Sequence, residues 1–437
     1  MKNLAKRNLI CFAVLAVILI ALCFINIGVP ATTSRFVGFV PAITKDIDIS
    51  GGVASKYEVT YADGVLNTQQ ELERTVKMLS SKLSKYGYGN ACVSTGSNDN
   101  IYVEIPKVRQ SSAILDAIAT TGALYITTDS LDSINEETAI NGEDVMNVTS
   151  KFSQTSANGF SWGVNVHLTD EGKNKLADLT ENAASSKVTL NIFVGENTIS
   201  QIGISGQYVS NDLYFYGTSS TEDSANVTSL QILMGKYNAE FDMVNNEIIE
   251  IAPLISNSIQ TLIIIAITVI SALLLVMFFV MFGQLGFIVT LNYAFLLTLS
   301  AFFMQALPIF VLSYSGVVGL GLGIILFFMS NFIIFNSAKK SYAEGKKIPL
   351  SIKLGIKNNA LKIVDISVIA IIASIVLYFV GGVYVQSFAL GLAILSALNL
   401  LTSLALNMLF TKWYIRINSK DAKKLHFIRE DNISELD

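Results

Sequence analysis

The chain has 437 residues, of which 51% are hydrophobic and only 15% charged, and its formal net charge is −4. Its mean hydropathy of +0.52 places it among membrane proteins and argues against a wholly soluble fold. Residues 251–338 and 366–411 contain no Asp, Glu, Lys or Arg. Charge-free runs of this length predict helices that lie in lipid.

Residues 30–250 differ sharply in charge from the rest of the chain. They carry 27 acidic and 14 basic side chains, a net charge of −13, whereas the remainder carries 7 acidic and 16 basic, a net charge of +9. An acidic surface repels phosphate groups, so we predict that no nucleic acid binds this region. The sequence therefore predicts an acidic domain joined to a membrane body whose loops are basic.

The first predicted membrane helix lies in region 1–30. Its uncharged run, residues 9–29, follows Lys2, Lys6 and Arg7, is long enough to cross a bilayer and lacks a good cleavage site. We therefore expect an uncleaved anchor. A membrane body over 251–412 contributes the other predicted spans, at 258–280, 284–306, 311–336, 362–381 and 387–411.

Basic side chains predict the orientation of these spans. Six spans put the amino terminus, the turn 337–361 and the tail 413–437 on one face of the membrane. The basic residues of the turn and tail are Lys339, Lys340, Lys346, Lys347, Lys353, Lys357, Lys412, Arg416, Lys420, Lys423, Lys424 and Arg429. The positive-inside rule assigns that face to the cytoplasm. We expect a multi-pass protein of the cytoplasmic membrane, with both termini cytoplasmic and the domain 31–250 extracytoplasmic.

Strand and helix patterns alternate twice within the acidic domain. In the first half, 31–130, apolar residues at three- and four-residue spacing (Leu72, Val76, Leu79, Leu83) predict a helix, and alternation predicts a strand at 100–106. A second half over 161–250 has a similar order, and 131–160 is interpreted as a linker or insert. The expected fold is an α-helical membrane protein with six transmembrane helices plus an α+β extracytoplasmic domain of two ferredoxin-like halves.

Nothing in the chain predicts catalysis. There is no nucleophile elbow, phosphate loop or Ser/His/Asp or Cys/His arrangement, and Cys11, Cys23 and Cys92 have no metal-binding spacing. We predict no catalytic residues, no metal and no cofactor, and a binding or lever role for the acidic domain.

Polar residues inside the spans are the candidate functional residues. Asp365 is one, because a carboxylate at a helix centre costs about 2.5–3.5 kcal/mol on insertion scales. It lies about one turn inside the cytoplasmic edge, so it could anchor the helix beside Lys357 or Lys362, or it could take part in coupling. Ser330 and Asn331 are candidates for coupling or for interhelical hydrogen bonds. The glycines predicted to allow close helix packing are Gly316, Gly319, Gly321 and Gly323.

The order and spacing of these features resemble the SecD family of protein-translocase membrane subunits. The stretch ITKDIDISGGVASKYEVTY, with Asp48, Gly51 and Gly52, is similar to the family sequence that follows the first span. In the membrane body the resemblance rests on a glycine-rich entry, an asparagine-containing run, an aspartate opening the fifth span, a glycine turn and the start of the sixth span. These are residues 319–323, 331–335, Asp365, Gly381 with Gly382, and 387–389.

Three departures from the family pattern bear on proton transfer. The family has an aspartate two residues before Asn331, where this chain has Met329. A Glu-Arg pair is replaced by Asn336 and Ser337, and the fifth-span threonines are replaced in the stretch DISVIAII. The resemblance implies that this aspartate passes protons in the family. Because this chain lacks it, proton-driven work by this chain alone is in question.

The resemblance implies an accessory subunit of the Sec translocase that assists export of unfolded polypeptides across the cytoplasmic membrane. Its implied partners are a SecF-like six-helix subunit, the translocon channel, the exported polypeptide and the lipid membrane, with the proton gradient as a candidate driving force. Two alternatives stay open: a proton-independent structural or docking subunit, and a half-unit of a small-molecule efflux transporter.

Overall fold

The structure is a computed structural model. It describes residues 2–28, 35–61, 69–86, 88, 91–96, 100–107, 110–120, 122–156, 159–184, 188–216, 221–236, 239–307, 309–418 and 425–427. The chain forms two compact units, Met1–Ile49 with Leu254–Asp437, and Ser50–Pro253. We call them the membrane unit and the α+β domain. The predicted basic tail residues Lys420, Lys423, Lys424 and Arg429 lie outside the described residues.

The membrane unit contains the predicted spans. It begins with α1 (Lys2–Phe24), β1 (Ile27–Gly28), β2 (Arg35–Phe36) and the short α2 (Ile47–Ser50). It resumes with α7 (Asn257–Phe282), α8 (Leu285–Ala306), α9 (Tyr314–Ala343), α10 (Ile348–Val380), α11 (Val383–Leu400), a π-helical segment Leu401–Leu406 and α12 (Asn407–Asn418). Within the described part of the chain, six helical stretches are long and apolar enough to cross a membrane, as predicted.

The segment 337–361 is not the long turn that we expected. Helix α9 runs to Ala343 and α10 begins at Ile348, so only residues 344–347 are non-helical. The reason is an apolar stripe on the first turns of α10, where Ile348, Ile352 and Ile356 are buried at a spacing of four residues. The lysines of this segment occupy the other positions of the same helical repeat. The composition of the segment therefore resembled that of a loop.

In sequence, the α+β domain is inserted between these two parts of the membrane unit. Its elements are β3 (Gly52–Tyr61), α3 (Gln69–Lys85), β4 (Cys92–Thr95), β5 (Asn100–Pro106), α4 (Ser111–Ile118), β6 (Leu124–Thr127), β7 (Ile140–Asn141), β8 (Val145–Ser156), β9 (Gly159–Leu168), α5 (Asp170–Leu179), β10 (Val188–Val194), β11 (Asn197–Ile204), β12 (Asp212–Phe215), α6 (Glu222–Met234), β13 (Ala239–Met243) and β14 (Ile249–Ile251). The strand orders are β13-β3-β5-β4, with β14 also on β3, then β11-β10-β6-β7, and β12-β9-β8.

The predicted α+β fold is confirmed, but its strands do not divide into two separate ferredoxin-like halves. The first sheet has the ferredoxin-like strand order, with β13 rather than β6 as the outer strand beside β3. Phe241 of β13 pairs with Val59 and is fully buried, whereas Ile126 of β6 pairs with Ile192 in the second sheet. Sequence alternation identifies strands but not their distant partners, which explains the difference.

The predicted linker or insert at 131–160 also belongs to the sheets. Strand β7 pairs with β6, and β8 forms a long antiparallel hairpin with β9. Val145 and Val148 of β8 are buried in the domain core. The polar composition of this segment comes from the exposed positions of a half-buried strand, which the interpretation as a linker missed.

We predict that Phe241→Ala destabilises the α+β domain strongly. Removing a buried phenylalanine typically costs about 3–5 kcal/mol of unfolding free energy. Phe152→Ala is the matched control, because Phe152 is 41% exposed on β8. Denaturant unfolding of the full chain in detergent, followed by circular dichroism, measures both changes. Equal losses in the two variants would contradict the assignment of β13 to the first sheet.

Candidate functional site in the membrane unit

Helix α9 packs closely against α11 through three of the four predicted glycines. A Cβ atom would lie 2.3 Å from Ser387 Oγ at Gly316, from the Phe388 carbonyl oxygen at Gly319, and from Leu395 Cβ at Gly323. No real side chain tolerates such distances, so these positions require glycine. Gly321 is different: a Cβ there would meet no atom within 4 Å, because this residue lies on another face of α9. The expectation of close packing at Gly321 is therefore wrong.

The close approach of these helices encloses a group of amide and hydroxyl side chains around Asn331 and Ser330. Asn331 Nδ2 donates hydrogen bonds to the Phe327 carbonyl oxygen at 2.9 Å and to Ser403 Oγ at 3.1 Å. Its Oδ1 accepts a hydrogen bond from Asn407 Nδ2 at 3.0 Å. Asn331 is fully buried and Ser330 is 3% exposed. Both sequence candidates thus lie in the interior of the membrane unit.

Asn399 connects this group to α10. Its Nδ2 donates to Ser330 Oγ at 3.0 Å and to Ser367 Oγ at 3.2 Å, and its Oδ1 accepts from Ser403 Oγ at 2.7 Å. We call the connected set the polar network; its members are Ser330, Asn331, Ser367, Asn399, Ser403 and Asn407. These side chains join α9, α10 and the last membrane helix by hydrogen bonds that lipid cannot replace.

Four of the six network residues were missed from sequence. A signal was present, because Asn399, Ser403, Asn407 and Thr411 recur every four residues within a charge-free span. Such spacing places side chains on one helix face. The π-helical segment Leu401–Leu406 falls inside this run. Single π turns are frequent at functional sites, which supports the polar network as the candidate site.

The polar network is uncharged. Its members are amides and hydroxyls, which neither gain nor lose a proton near neutral pH. Some buried side-chain polar atoms lack hydrogen-bond partners within the described structure: Asn407 Oδ1, which belongs to the network, Ser396 Oγ, and both side-chain polar atoms of Asn292. The arrangement can therefore hold helices together and reorganise its hydrogen bonds, but it holds no titratable group.

Asp365 lies away from the polar network. It is exposed on α10, whereas Ser367, two residues later, is fully buried. Among the described residues Asp365 forms no ion pair with Lys357 or Lys362, although the sequence had suggested such pairing. Met329 is likewise 50% exposed, two residues before the buried Asn331. The structure therefore brings Ser330 and Asn331 together and leaves Asp365 apart.

A second group of contacts holds the start of α9 to the chain segment that leads into the α+β domain. Asp48 Oδ2 accepts a hydrogen bond from the Tyr314 backbone N–H at 2.8 Å, and the Asp48 carbonyl oxygen accepts from Leu254 N at 2.8 Å. Burial raises the pKa of the Asp48 carboxyl, partly opposed by the backbone N–H groups of Tyr314 and Ile49. We call residues 44–49 the entry stem.

Backbone hydrogen bonds extend this attachment. Leu312 N donates to the Thr44 carbonyl oxygen at 2.8 Å, and the Leu312 carbonyl oxygen accepts from Asp46 N at 2.9 Å. Ser387 of α11 donates from its Oγ to the Val311 carbonyl oxygen at 2.6 Å and accepts from Ser313 N at 3.2 Å. The start of α9 is thus fixed by the entry stem and by α11.

The other family-motif glycines have local roles. Gly51 has a φ of +67°, and Gly52 allows close strand approach, since a Cβ there would lie 2.3 Å from the Ile105 carbonyl oxygen. Gly381 and Gly382 form the turn between α10 and α11; a Cβ at Gly381 would lie 2.6 Å from the Leu377 carbonyl oxygen, whereas Gly382 is open.

We predict that Asn399→Ala destabilises the membrane unit by roughly 1–2 kcal/mol, since it removes interhelical hydrogen bonds that average about 0.6 kcal/mol each. Asn358→Ala is the matched control, because Asn358 is an exposed amide on α10. Reversible unfolding of the reconstituted protein in denaturing detergent measures both. If the control loses as much stability as Asn399→Ala, the polar network does not hold these helices together.

Comparisons with known proteins found similar sequences over most of the chain. No protein-family model matches the chain. The protein translocase subunit SecD of Petrotoga mobilis is 23% identical over 410 residues, covering 82% of this chain and 84% of the relative. The SecD subunit of Dictyoglomus turgidum is 24% identical over 370 residues, covering 82% and 86%.

A solved structure has the same fold. The crystal structure of SecDF in its super-membrane-facing form matches with a TM-score of 0.52 and 20% identity. The match covers 95% of this chain and 57% of the SecDF chain, so this chain spans just over half the length of that protein. The membrane helices, the α+β domain that follows the first of them in sequence, and these relatives lead to one conclusion: over most of its length the chain is similar, at low sequence identity, to SecD subunits of the protein translocase.

Proposed function

We propose that the chain assists export of unfolded polypeptides across the cytoplasmic membrane, together with a SecF-like six-helix subunit and the translocon channel. The observation that carries this proposal is the similarity to proteins named as SecD translocase subunits, which extends over 82% of the chain and includes both compact units. The proposed orientation has both termini in the cytoplasm and the domain 31–250 outside it.

The entry stem supports a lever mechanism. Its hydrogen bonds through Asp48 and Leu312 attach the path into the α+β domain to the first turn of α9. The middle of the same helix is bonded through Ser330 to Asn399 of α11 and through Asn331 to Ser403 of the π-helical segment. A movement of α9 would therefore pull on the entry stem, and a load on the stem would act on the polar network.

The uncharged polar network supports the proposal that this chain and its partner contribute different chemical groups to export. This chain offers amides and hydroxyls at the centre of its membrane unit, with Met329 at the position of the family aspartate. If the proton gradient drives export, we propose that the carboxylate that binds the proton belongs to the SecF-like subunit. The same observation favours, as a second candidate, a proton-independent structural or docking subunit.

We predict that Asp48→Ala slows export by roughly tenfold. A hydrogen bond to a charged group contributes about 1.5–3 kcal/mol, and 1.4 kcal/mol corresponds to a factor of ten. Pulse labelling of a secreted precursor, in cells whose own copy is depleted, measures the rate of export. Asp132→Ala, at an exposed carboxylate in the α+β domain, is the control and should restore normal export. No export defect after depletion would overturn the proposed function itself.

Asp365→Asn should leave export unchanged at equal protein level. Asp365 is exposed and lies apart from the polar network, so we propose that it anchors α10 near the cytoplasmic edge. The same precursor assay tests this, with and without an uncoupler that collapses the proton gradient. A loss of export in Asp365→Asn that matches the effect of the uncoupler would assign proton coupling to this carboxylate.

The proposed orientation can be tested with the native cysteines. Cys92 is exposed on β4 in the α+β domain, whereas Cys11 lies in the first span. A membrane-impermeant maleimide added to intact spheroplasts should label Cys92 and leave Cys11 unlabelled. Labelling of Cys92 only after lysis would place the domain in the cytoplasm and contradict the proposed direction of export.

A further inference from the structure

The membrane unit contains a half-open cavity of about 360 Å³ between α1, α8, α9 and α11. Its walls include Cys23 and Phe24 of α1, Ala301 and Met304 of α8, and Leu320 and Ile324 of α9. Ile43 and Leu312 close one side of it. These two residues border the entry stem, so the cavity lies directly beside the contacts that hold the start of α9.

The cavity has no polar group to offer a ligand. Its two hydroxyl-bearing wall residues on α8 are already bonded within that helix. Thr298 Oγ1 donates to the Ala294 carbonyl oxygen at 2.9 Å, and Ser300 Oγ donates to the Leu297 carbonyl oxygen at 2.8 Å. A buried water needs two to four polar partners, so water does not fill this space.

A space of about 360 Å³ lined by apolar side chains suits a slender hydrocarbon chain. The walls belong to membrane-spanning helices, and the molecules that surround such helices are lipids with acyl chains.

We propose that this cavity binds one acyl chain of a membrane lipid. The bound chain fills the space behind Ile43 and Leu312 and so supports the backbone pairing of Leu312 with Thr44 and Asp46. Lipid occupancy then keeps the entry stem attached to α9. This role concerns the membrane unit alone and does not depend on the proposed export function.

The test uses the full chain in vesicles of phosphatidylethanolamine and phosphatidylglycerol, with a small share of the phospholipid carrying a photoactivatable diazirine on its acyl chain. After illumination, mass spectrometry locates the cross-links. We expect enrichment at residues 20–24 and 294–304 over the exposed face of α7. Ala301→Phe, which fills the cavity, should reduce labelling there about tenfold.

The matched control is Ala266→Phe, at an exposed position on α7, which should leave cavity labelling unchanged. Cavity labelling that does not exceed labelling on α7, or that survives Ala301→Phe, would overturn the proposal. The wild-type thiols give an independent readout in case Ala301→Phe does not fold. Cys23 should react with a small apolar maleimide only after removal of lipid, while Cys92, which is exposed in the α+β domain, should react equally in both states. Equal reactivity of Cys23 with and without lipid would also contradict an acyl-chain site.

Discussion

Hydrocarbon cannot satisfy a hydrogen-bonding group, and this constraint governs the membrane unit. An amide or hydroxyl inside the spans is stabilised by a partner on a neighbouring helix or on its own backbone. Asn331 and Asn399 find such partners by bonding across α9, α10 and the π-helical segment. Such bonds form only if the helices approach closely, which the glycines at 316, 319 and 323 permit against α11.

The attachments of α9 determine how movement can pass through the membrane unit. Helix α9 is attached at its middle by uncharged hydrogen bonds and at its start by a carboxylate, Asp48, that belongs to the path into the α+β domain. The helix is therefore the mechanical connection between the network and the entry stem. Because the network holds no titratable side chain, a proton cannot be its switch. Any proton-dependent movement has to reach it from a titratable group outside the network, in this chain or in a neighbouring protein.

The sequence predicted features that depend on local patterns. Charge-free runs located the spans, and alternation located strands such as β5, because burial of one face imposes those periods. The sequence did not predict which distant strands pair. Phe241 follows β3 by about 180 residues, yet its strand, β13, pairs with β3. At the site, Ser330 and Asn331 were identified because they interrupt an apolar run. Asp365 was given equal weight, because charge alone does not tell which helix face carries it.

The most direct measurement is affinity purification of the tagged full chain from its native membranes in mild detergent, with the bound proteins identified and quantified by mass spectrometry. We expect a SecF-like six-span protein and the translocon channel to be recovered at comparable amounts. That partner should carry a carboxylate in a membrane span. Recovery of neither protein, from membranes that contain both, would contradict the proposal that this chain is an export subunit whose partner supplies the carboxylate.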